Sequence, residues 1–310
     1  MLVWPQKNAL ILNLRDPSSI LNVIPSAKQF AVKGKPFVAV PHKTTETKML
    51  RNLGYDAPAP IRDNYNWPGR FTPFFAQKEA AAFLSMNKRA FNLSELGTGK
   101  SLASLWAYDY LRSIGQLNKA LVVSPLSTLE RTWADEIFQH FPHLTCSVLY
   151  GSRDKRIKML DLDADVYIIN HDGVKIIEPH LKDRTDIDLV ILDEIAQAAR
   201  NAGTDRWKTI NRVVNRHKEP RACWGMSGTP TPNGPTDAWA QCRLIVPENV
   251  PPYFNRFKGT VMKQLSQFQW INKPEATEIV HKVMQPSVRF TRDECVDLPP
   301  LLYETRQVPL

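Results

Sequence analysis

Short apolar runs alternating with polar stretches divide the chain into two patterns. Near the N-terminus, runs at 9–14, 30–32 and 37–40 predict strands, while 17–23 and 45–53 carry helical spacing. They make a small α+β unit over residues 1–60 that closes on Ala57-Pro58-Ala59-Pro60, and the polar, aromatic stretch 61–71 reads as a linker. From residue 72 the pattern changes. Strand-like runs at 90–93, 120–124, 146–150, 166–170, 189–192 and 222–226 alternate with amphipathic stretches such as 102–114 and 126–140. These runs are apolar throughout and rich in β-branched residues, which predicts strands buried on both faces. The fold class that follows for residues 72–246 is α/β, a parallel sheet covered by helices on both faces, with ligands at the carboxyl ends of the strands. Residues 247–310 break the alternation and read as a helical extension. Its aromatics, Tyr253, Phe254, Phe257, Phe268 and Trp270, are expected in a core rather than on a base-stacking platform, and Leu298-Pro299-Pro300 follows them.

Composition narrows the class. A chain of 310 residues, 43% hydrophobic and 23% charged, can bury a large core. No apolar run approaches the roughly 18 to 20 residues of a membrane span, and the start lacks the order of a signal peptide, so the expected location is the cytoplasm. Cys146, Cys223, Cys242 and Cys295 show neither CxxC nor Cys/His ligand spacing and are expected as free thiols. The net charge is +9, and residues 1–70 hold ten Lys/Arg against four Asp/Glu. A basic excess of this kind suits a phosphate-rich partner, or simply a solvated face.

Two clusters carry candidate chemistry. Ser94-Glu95-Leu96-Gly97-Thr98-Gly99-Lys100-Ser101 lies between a strand and a helix. Gly97 and Gly99 would let backbone N–H groups, Thr98 among them, approach phosphate oxygens closely. Lys100 would reach the β and γ phosphates, and Ser101 would offer its hydroxyl to magnesium. Ser94 stands where the general phosphate-loop pattern has glycine. The second cluster, Asp193-Glu194, ends an apolar strand. Asp193 would hold the metal and Glu194 would polarise an attacking water, so Asp193, Glu194 and Lys100 form the catalytic set. Without the phosphate loop, the pair would read as a helix cap.

With these residues assembled, the chain resembles the ATP-binding, RecA-like first lobe of superfamily-two helicases, and among them the Swi/Snf-like double-stranded DNA translocases. Gln77, in Pro73-Phe74-Phe75-Ala76-Gln77, matches the glutamine that reads adenine. Gly97 to Ser101 resembles motif I. Val122 to Leu129 with Trp133 is similar to motif Ia, which places Pro125 and Ser127 at a nucleic-acid backbone. Ile168-Ile169-Asn170-His171-Asp172 is similar to motif Ib and places Asn170 and His171 there too. Asp193-Glu194-Ile195-Ala196 stands at the DExx position with Asn201 after it. Ser227-Gly228-Thr229-Pro230, running to Asn233, resembles motif III, which couples phosphate state to lobe movement. Gln197 and Ala76 each replace a histidine common in relatives. Read alone, Gln77 could be a surface helix residue, Ser227 to Asn233 a simple turn, His171 and Trp133 orienting groups, and Arg200 and Arg206 surface charges.

The resemblance covers residues 71–310 and implies ATP and magnesium as cofactors, nucleic acid as partner (duplex DNA foremost) and a second RecA-like lobe. The chain stops at Val308-Pro309-Leu310, where that lobe would begin. An arginine finger is worth roughly 10³ to 10⁵ in turnover, so low activity is expected of the isolated chain. A non-motor binding module that keeps the lobe's fold is the alternative. A small-molecule kinase would leave Gln77 and Ser227-Gly228-Thr229 unexplained. The basic N-terminal unit is expected to add a nucleic-acid contact.

Overall fold

The computed structural model describes residues 1–215, 221–267 and 269–295, so Phe268, Leu298-Pro299-Pro300 and Val308-Pro309-Leu310 lie outside the described residues. The N-terminal strands are β1 (Leu2–Trp4), β2 (Ala9–Asn13), β3 (Lys28–Val32) and β4 (Lys35–Pro41). They form an antiparallel sheet in the order β1-β2-β4-β3. Leu10, Leu12, Val38 and Val40 face inward onto Ile20 of the Ser18–Leu21 helix, Leu50 of the Thr44–Asn52 helix and Ile24 of the loop before β3.

The main sheet follows. Its strands are β5 (Arg89–Asn92), β6 (Lys119–Ser124), β7 (Cys146–Val148), β8 (Val166–Asn170), β9 (Ile187–Leu192) and β10 (Ala222–Met226). Past a separate two-stranded hairpin of β11 (Met262–Gln264) and β12 (Trp270–Asn272), the short strand β13 (Ser287–Val288) joins β5 at the edge. The order is β13-β5-β10-β9-β6-β8-β7, and all pairings are parallel. Alternate residues of the central strands enter opposite cores, as the two-residue period requires. Leu121, Val123, Val190 and Leu192 pack with the Asp205–Asn215 and Asp237–Ile245 helices. Ala120, Val122, Leu189 and Ile191 pack with the Phe75–Met86 and Lys100–Ser113 helices. The uniformly apolar strand sequences therefore reflect burial on both faces.

Three segments differ from the expectations. The stretch read as a linker is an ordered strap laid on the lobe. Tyr65 donates to the Asp109 carboxylate at 2.5 Å, Trp106 donates its indole N–H to Pro68 O at 2.8 Å, and Tyr65, Trp67, Trp106 and Phe71 meet edge to face. The amphipathic run 126–140 is divided into a 3-10 turn, a π-helical turn over Leu129–Ala134 and an α-helix over Asp135–His140. Beyond residue 246, helices at Phe254–Val261 and Ala276–Val283 are interrupted by the hairpin, and β13 returns to the sheet. Of the aromatics there, Phe257 is core, whereas Tyr253 is 75% exposed and Trp270 lies under the Lys258 ammonium at 3.9 Å. Among the described residues no helix is long and apolar enough to cross a membrane, and all four cysteines are free.

Ile191 is fully buried at the centre of the sheet, while Phe138 is 80% exposed. Ile191→Ala should cost about 2–5 kcal/mol in urea unfolding of the main transition. Phe138→Ala should stay within about 0.5 kcal/mol.

Candidate functional site

The parallel sheet brings five loops to one edge. After β5 the chain passes through Gly97 and Gly99, at φ +81° and +77°, a left-handed conformation that glycine adopts without steric cost. A Cβ on Gly99 would fall on the amide nitrogen of Gln77, so glycine there lets that carboxamide lie directly against the loop. Gln77 is itself buried and fixed, its Oε1 accepting the Phe74 N–H at 3.0 Å. The Lys100 ammonium donates to the Glu95 carbonyl at 2.9 Å, and the Thr98 hydroxyl donates to the same oxygen at 2.8 Å. Burial lowers the Lys100 pKa, opposed by the charges of Glu194 and Asp193. Ser101 lies half-buried in the first turn of the Lys100–Ser113 helix.

After β9, Asp193 is held on every side. Its N–H donates to Val123 O at 2.8 Å, and its carboxylate accepts the Trp133 indole N–H and the Glu194 N–H, each at 3.0 Å. The His171 ring donates to its carbonyl at 2.9 Å. Glu194 sits at φ +47°, a strained value for a residue with a side chain and one that clusters at functional turns. Burial raises the pKa of both carboxyls; for Glu194 the Asp193 charge adds to this and Lys100 opposes it.

The loop after β10 closes the arrangement. Ser227 is fully buried, donates its N–H to Asn92 O at 3.2 Å and donates its hydroxyl to the Glu194 carboxylate at 3.2 Å. Its oxygen also accepts the Thr229 N–H at 3.2 Å. A Cβ on Gly228 would come within 3.3 Å of the Leu96 backbone nitrogen, so this loop packs on the phosphate loop. Gly97, Thr98, Gly99, Asp193, Glu194, Ser227, Gly228 and Thr229 thus lie on linked loops, with Gln77 and Lys100 joining them from the Phe75–Met86 and Lys100–Ser113 helices.

The four expected nucleic-acid contacts are placed differently from one another. Pro125 is half-buried, and exposed Ser127 lines a cleft of about 240 Å³ together with Leu126, Arg131 and Tyr150. Asn170 accepts the Arg156 guanidinium on its side-chain oxygen at 2.8 Å. His171, expected at the nucleic-acid backbone, instead turns inward, 7% exposed, where the Asp193 carbonyl gives its ring N–H a partner, and burial lowers its pKa. Asn201 caps its own turn by accepting the Gly203 N–H at 2.8 Å, and Arg206 pairs with exposed Asp172.

Sequence reading missed three features. Ser94 is buried, and its hydroxyl accepts the Phe290 N–H at 3.1 Å. Glu95 donates its N–H to Phe290 O and accepts the Arg292 N–H on its carboxylate, both at 3.0 Å. The segment after β13 is therefore latched to the phosphate loop, and the loss of the pattern's glycine at 94 was the one available signal. Arg156, 8% exposed, ties Leu149 O and Gly151 O to Asn170. Glu136 is the third, legible only through its three-residue spacing from Trp133 on adjoining helical turns.

One Glu136 carboxylate oxygen is buried without a partner among the described residues, and burial, with the Asp193 charge behind it, pushes its pKa from 4.5 up to about 8. The folded state then keeps a proton that the unfolded chain releases, so this group's contribution to stability falls as pH rises through that interval. Glu136→Gln should raise the Tm of the ligand-free chain at pH 8 by roughly 2 °C or more, with a smaller gain at pH 5. Calorimetry at the two pH values measures the difference.

The chain matches the SNF2-related domain over residues 76–308. It is 29% identical to protein p41 of Acyrthosiphon pisum secondary endosymbiont phage 1 over 210 residues, 64% of this chain and 45% of p41. It is 28% identical to the Saccharomyces cerevisiae ISWI chromatin-remodeling complex ATPase ISW1 over 160 residues, 50% of this chain and 14% of ISW1. The chain thus spans less than half the length of either relative. In fold it superposes on the Sulfolobus solfataricus SWI2/SNF2 ATPase core in complex with dsDNA, with a TM-score of 0.58 and 19% identity, covering 74% of this chain and 48% of that one. With roughly three quarters of its residues inside the match, this protein belongs to the SNF2-related domain family.

Proposed function

We propose that this chain is the ATP-binding first lobe of an ATP-dependent double-stranded DNA translocase. The observation that carries the reading is the convergence of Lys100, Asp193, Glu194 and Ser227 on one edge of the sheet, beside a loop whose glycines leave room for phosphate. Gly97 has open space where a Cβ would stand, and the Lys100–Ser113 helix presents its N-terminus to the same loop, both suited to an anionic tail. In this reading Gln77 meets the adenine edge, Gly97, Thr98 and Gly99 supply backbone N–H groups, and Lys100 leaves the Glu95 carbonyl to meet phosphate oxygens. Ser101 and Asp193 hold magnesium, which commonly takes one or two protein ligands and completes its shell with phosphate and water.

Magnesium bound with ATP would neutralise charge on the transferred phosphoryl group. Glu194 orients and deprotonates water, and its hydrogen bond to Ser227 passes its state to the loop after β10. The Trp133 and His171 contacts keep Asp193 in a single orientation.

The matched region spans 48% of the Sulfolobus core, which supports a second RecA-like lobe working opposite this cleft. Exposed Ser127, with Pro125 beside it and Arg131 in the adjoining cleft, is the proposed contact with the DNA backbone; Asn170, fixed by Arg156, shapes the neighbouring loop. His171 acts here through Asp193.

Titration calorimetry tests the nucleotide site. The parent chain should bind MgATP, Lys100→Ala should weaken binding at least tenfold, and Glu194→Gln should retain it. Absence of heat from the parent would sink the reading in favour of a nucleotide-independent binding module. Duplex DNA affinity should be insensitive to sequence and fall with salt by a log–log slope of about 0.9 per phosphate contacted. A salt-independent affinity would remove DNA as the partner.

A further inference from the structure

The N-terminal sheet has two apolar faces but, among the described residues, helices on only one. Strand alternation sends Leu10, Leu12, Val38 and Val40 into the unit's core. The opposite face should then be polar, as in antiparallel sheets with one wet side. Instead it carries Trp4, Ile11, Phe30 and Phe37. Trp4 is 43% exposed, and the other three are partly open. Phe30 and Phe37 are direct cross-strand partners whose rings stack at 5.7 Å and 25°. On the same face Lys28 is paired with Ala39, next to Ile11, and Lys35 is paired with Val32. Over residues 1–41 there are five Lys/Arg and one acid, Asp16.

A contiguous exposed apolar face is unusual unless something binds it. The ligand that fits must be polyanionic, to suit the lysines, and must offer flat apolar surfaces, to suit the rings. Duplex DNA satisfies only the first condition, because its bases are stacked inside and it presents phosphates outward. A single strand satisfies both, since its bases are free to stack on aromatic side chains while the phosphates run past basic groups.

We propose that the open face of this sheet is a binding platform for single-stranded nucleic acid, with bases stacked on Phe30, Phe37 and Trp4 and phosphates paired with Lys28 and Lys35. The platform deepens the translocase reading by naming a second nucleic-acid class. It rests on that reading only in taking nucleic acid as the substrate, and it is separate from the loops after β6 and β8.

Fluorescence anisotropy of a labelled twelve-residue oligothymidine with the full chain tests the platform. The parent should bind, and Phe30→Ala/Phe37→Ala should lose about tenfold or more in affinity. Lys28→Ser/Lys35→Ser leaves the rings in place; it should also weaken binding and reduce the log–log salt slope by roughly 1.4, the value for two single-strand phosphates. Both variants should keep the parent's affinity for MgATP, a readout that the N-terminal face does not touch. Failure of the parent to bind oligothymidine, or equal binding by parent and lysine variant, would overturn the proposal. So would concentration-dependent dimerisation of the parent that Phe30→Ala/Phe37→Ala abolishes, because a second copy would then cover the face. Loss of MgATP heat from the parent with oligothymidine binding intact would instead discard the motor reading and leave the platform standing.

Discussion

Parallel pairing of β9 with β10 and of β10 with β5 places three strand ends side by side, and the candidate chemistry depends on that adjacency. Each strand delivers one component: the glycine loop after β5, Asp193 and Glu194 after β9, and Ser227 after β10. The three components are far apart in sequence, since Lys100 and Asp193 are separated by four strands and the helices between them. The interdigitated cores on the two faces of the sheet hold the strand ends in register. A site at such an edge is as rigid as the sheet beneath it, as charged groups acting on a shared ligand require.

Burial makes the arrangement tense. Asp193 and Glu194 are adjacent carboxyls removed from water, with Glu136 behind them, and each has its proton affinity raised. Lys100 is the nearby opposite charge, yet its ammonium is bonded to a neutral carbonyl in the loop rather than to either acid. A carboxyl pair in this setting gains from any cation brought to it, and an ammonium on a carbonyl gains from any anion. Magnesium carried by a triphosphate would relieve both at once. The same carbonyl belongs to Glu95, whose N–H and side chain hold the segment from Phe290 to Arg292. Movement of Lys100 would therefore be felt at Phe290 to Arg292, through the backbone and the carboxylate of Glu95.

The parallel sheet was legible because strands buried on both faces leave uninterrupted apolar runs, as 120–124 and 189–192 show. The sequence order that marks out the glycine loop and the acid pair as candidates is short and local, and parallel pairing of β5, β10 and β9 brings the two to one edge of the sheet. Contacts across the fold were less visible. Nothing local distinguishes His171, as the inward brace of Asp193, from a residue facing a nucleic-acid backbone, because both follow a strand at the same sheet edge. The strap at 61–71 has a linker's composition, and its order comes from partners more than thirty residues away, Trp106 and Asp109. The segment after 246 carries helical spacing over two short stretches, but β13 is only two residues long and is held by β5, so no period could reveal it.

Ser94 shows how a departure from a pattern can carry information of its own. Glycine is asked for at that point so that the chain can turn closely beneath a phosphate, and a serine would ordinarily weaken the match. Here the side chain is turned away into the protein, where its hydroxyl accepts the Phe290 N–H, and the chain takes up left-handed conformations later, at Gly97 and Gly99. Left-handed backbone is thus confined to the last five residues of the motif, where the proposed phosphate site would need it. Position 94 is released to fasten the outgoing segment, which a glycine, having no hydroxyl, could not do. Serine at 94 adds a structural bond at one end of the loop and leaves the two glycines at the other end free to turn.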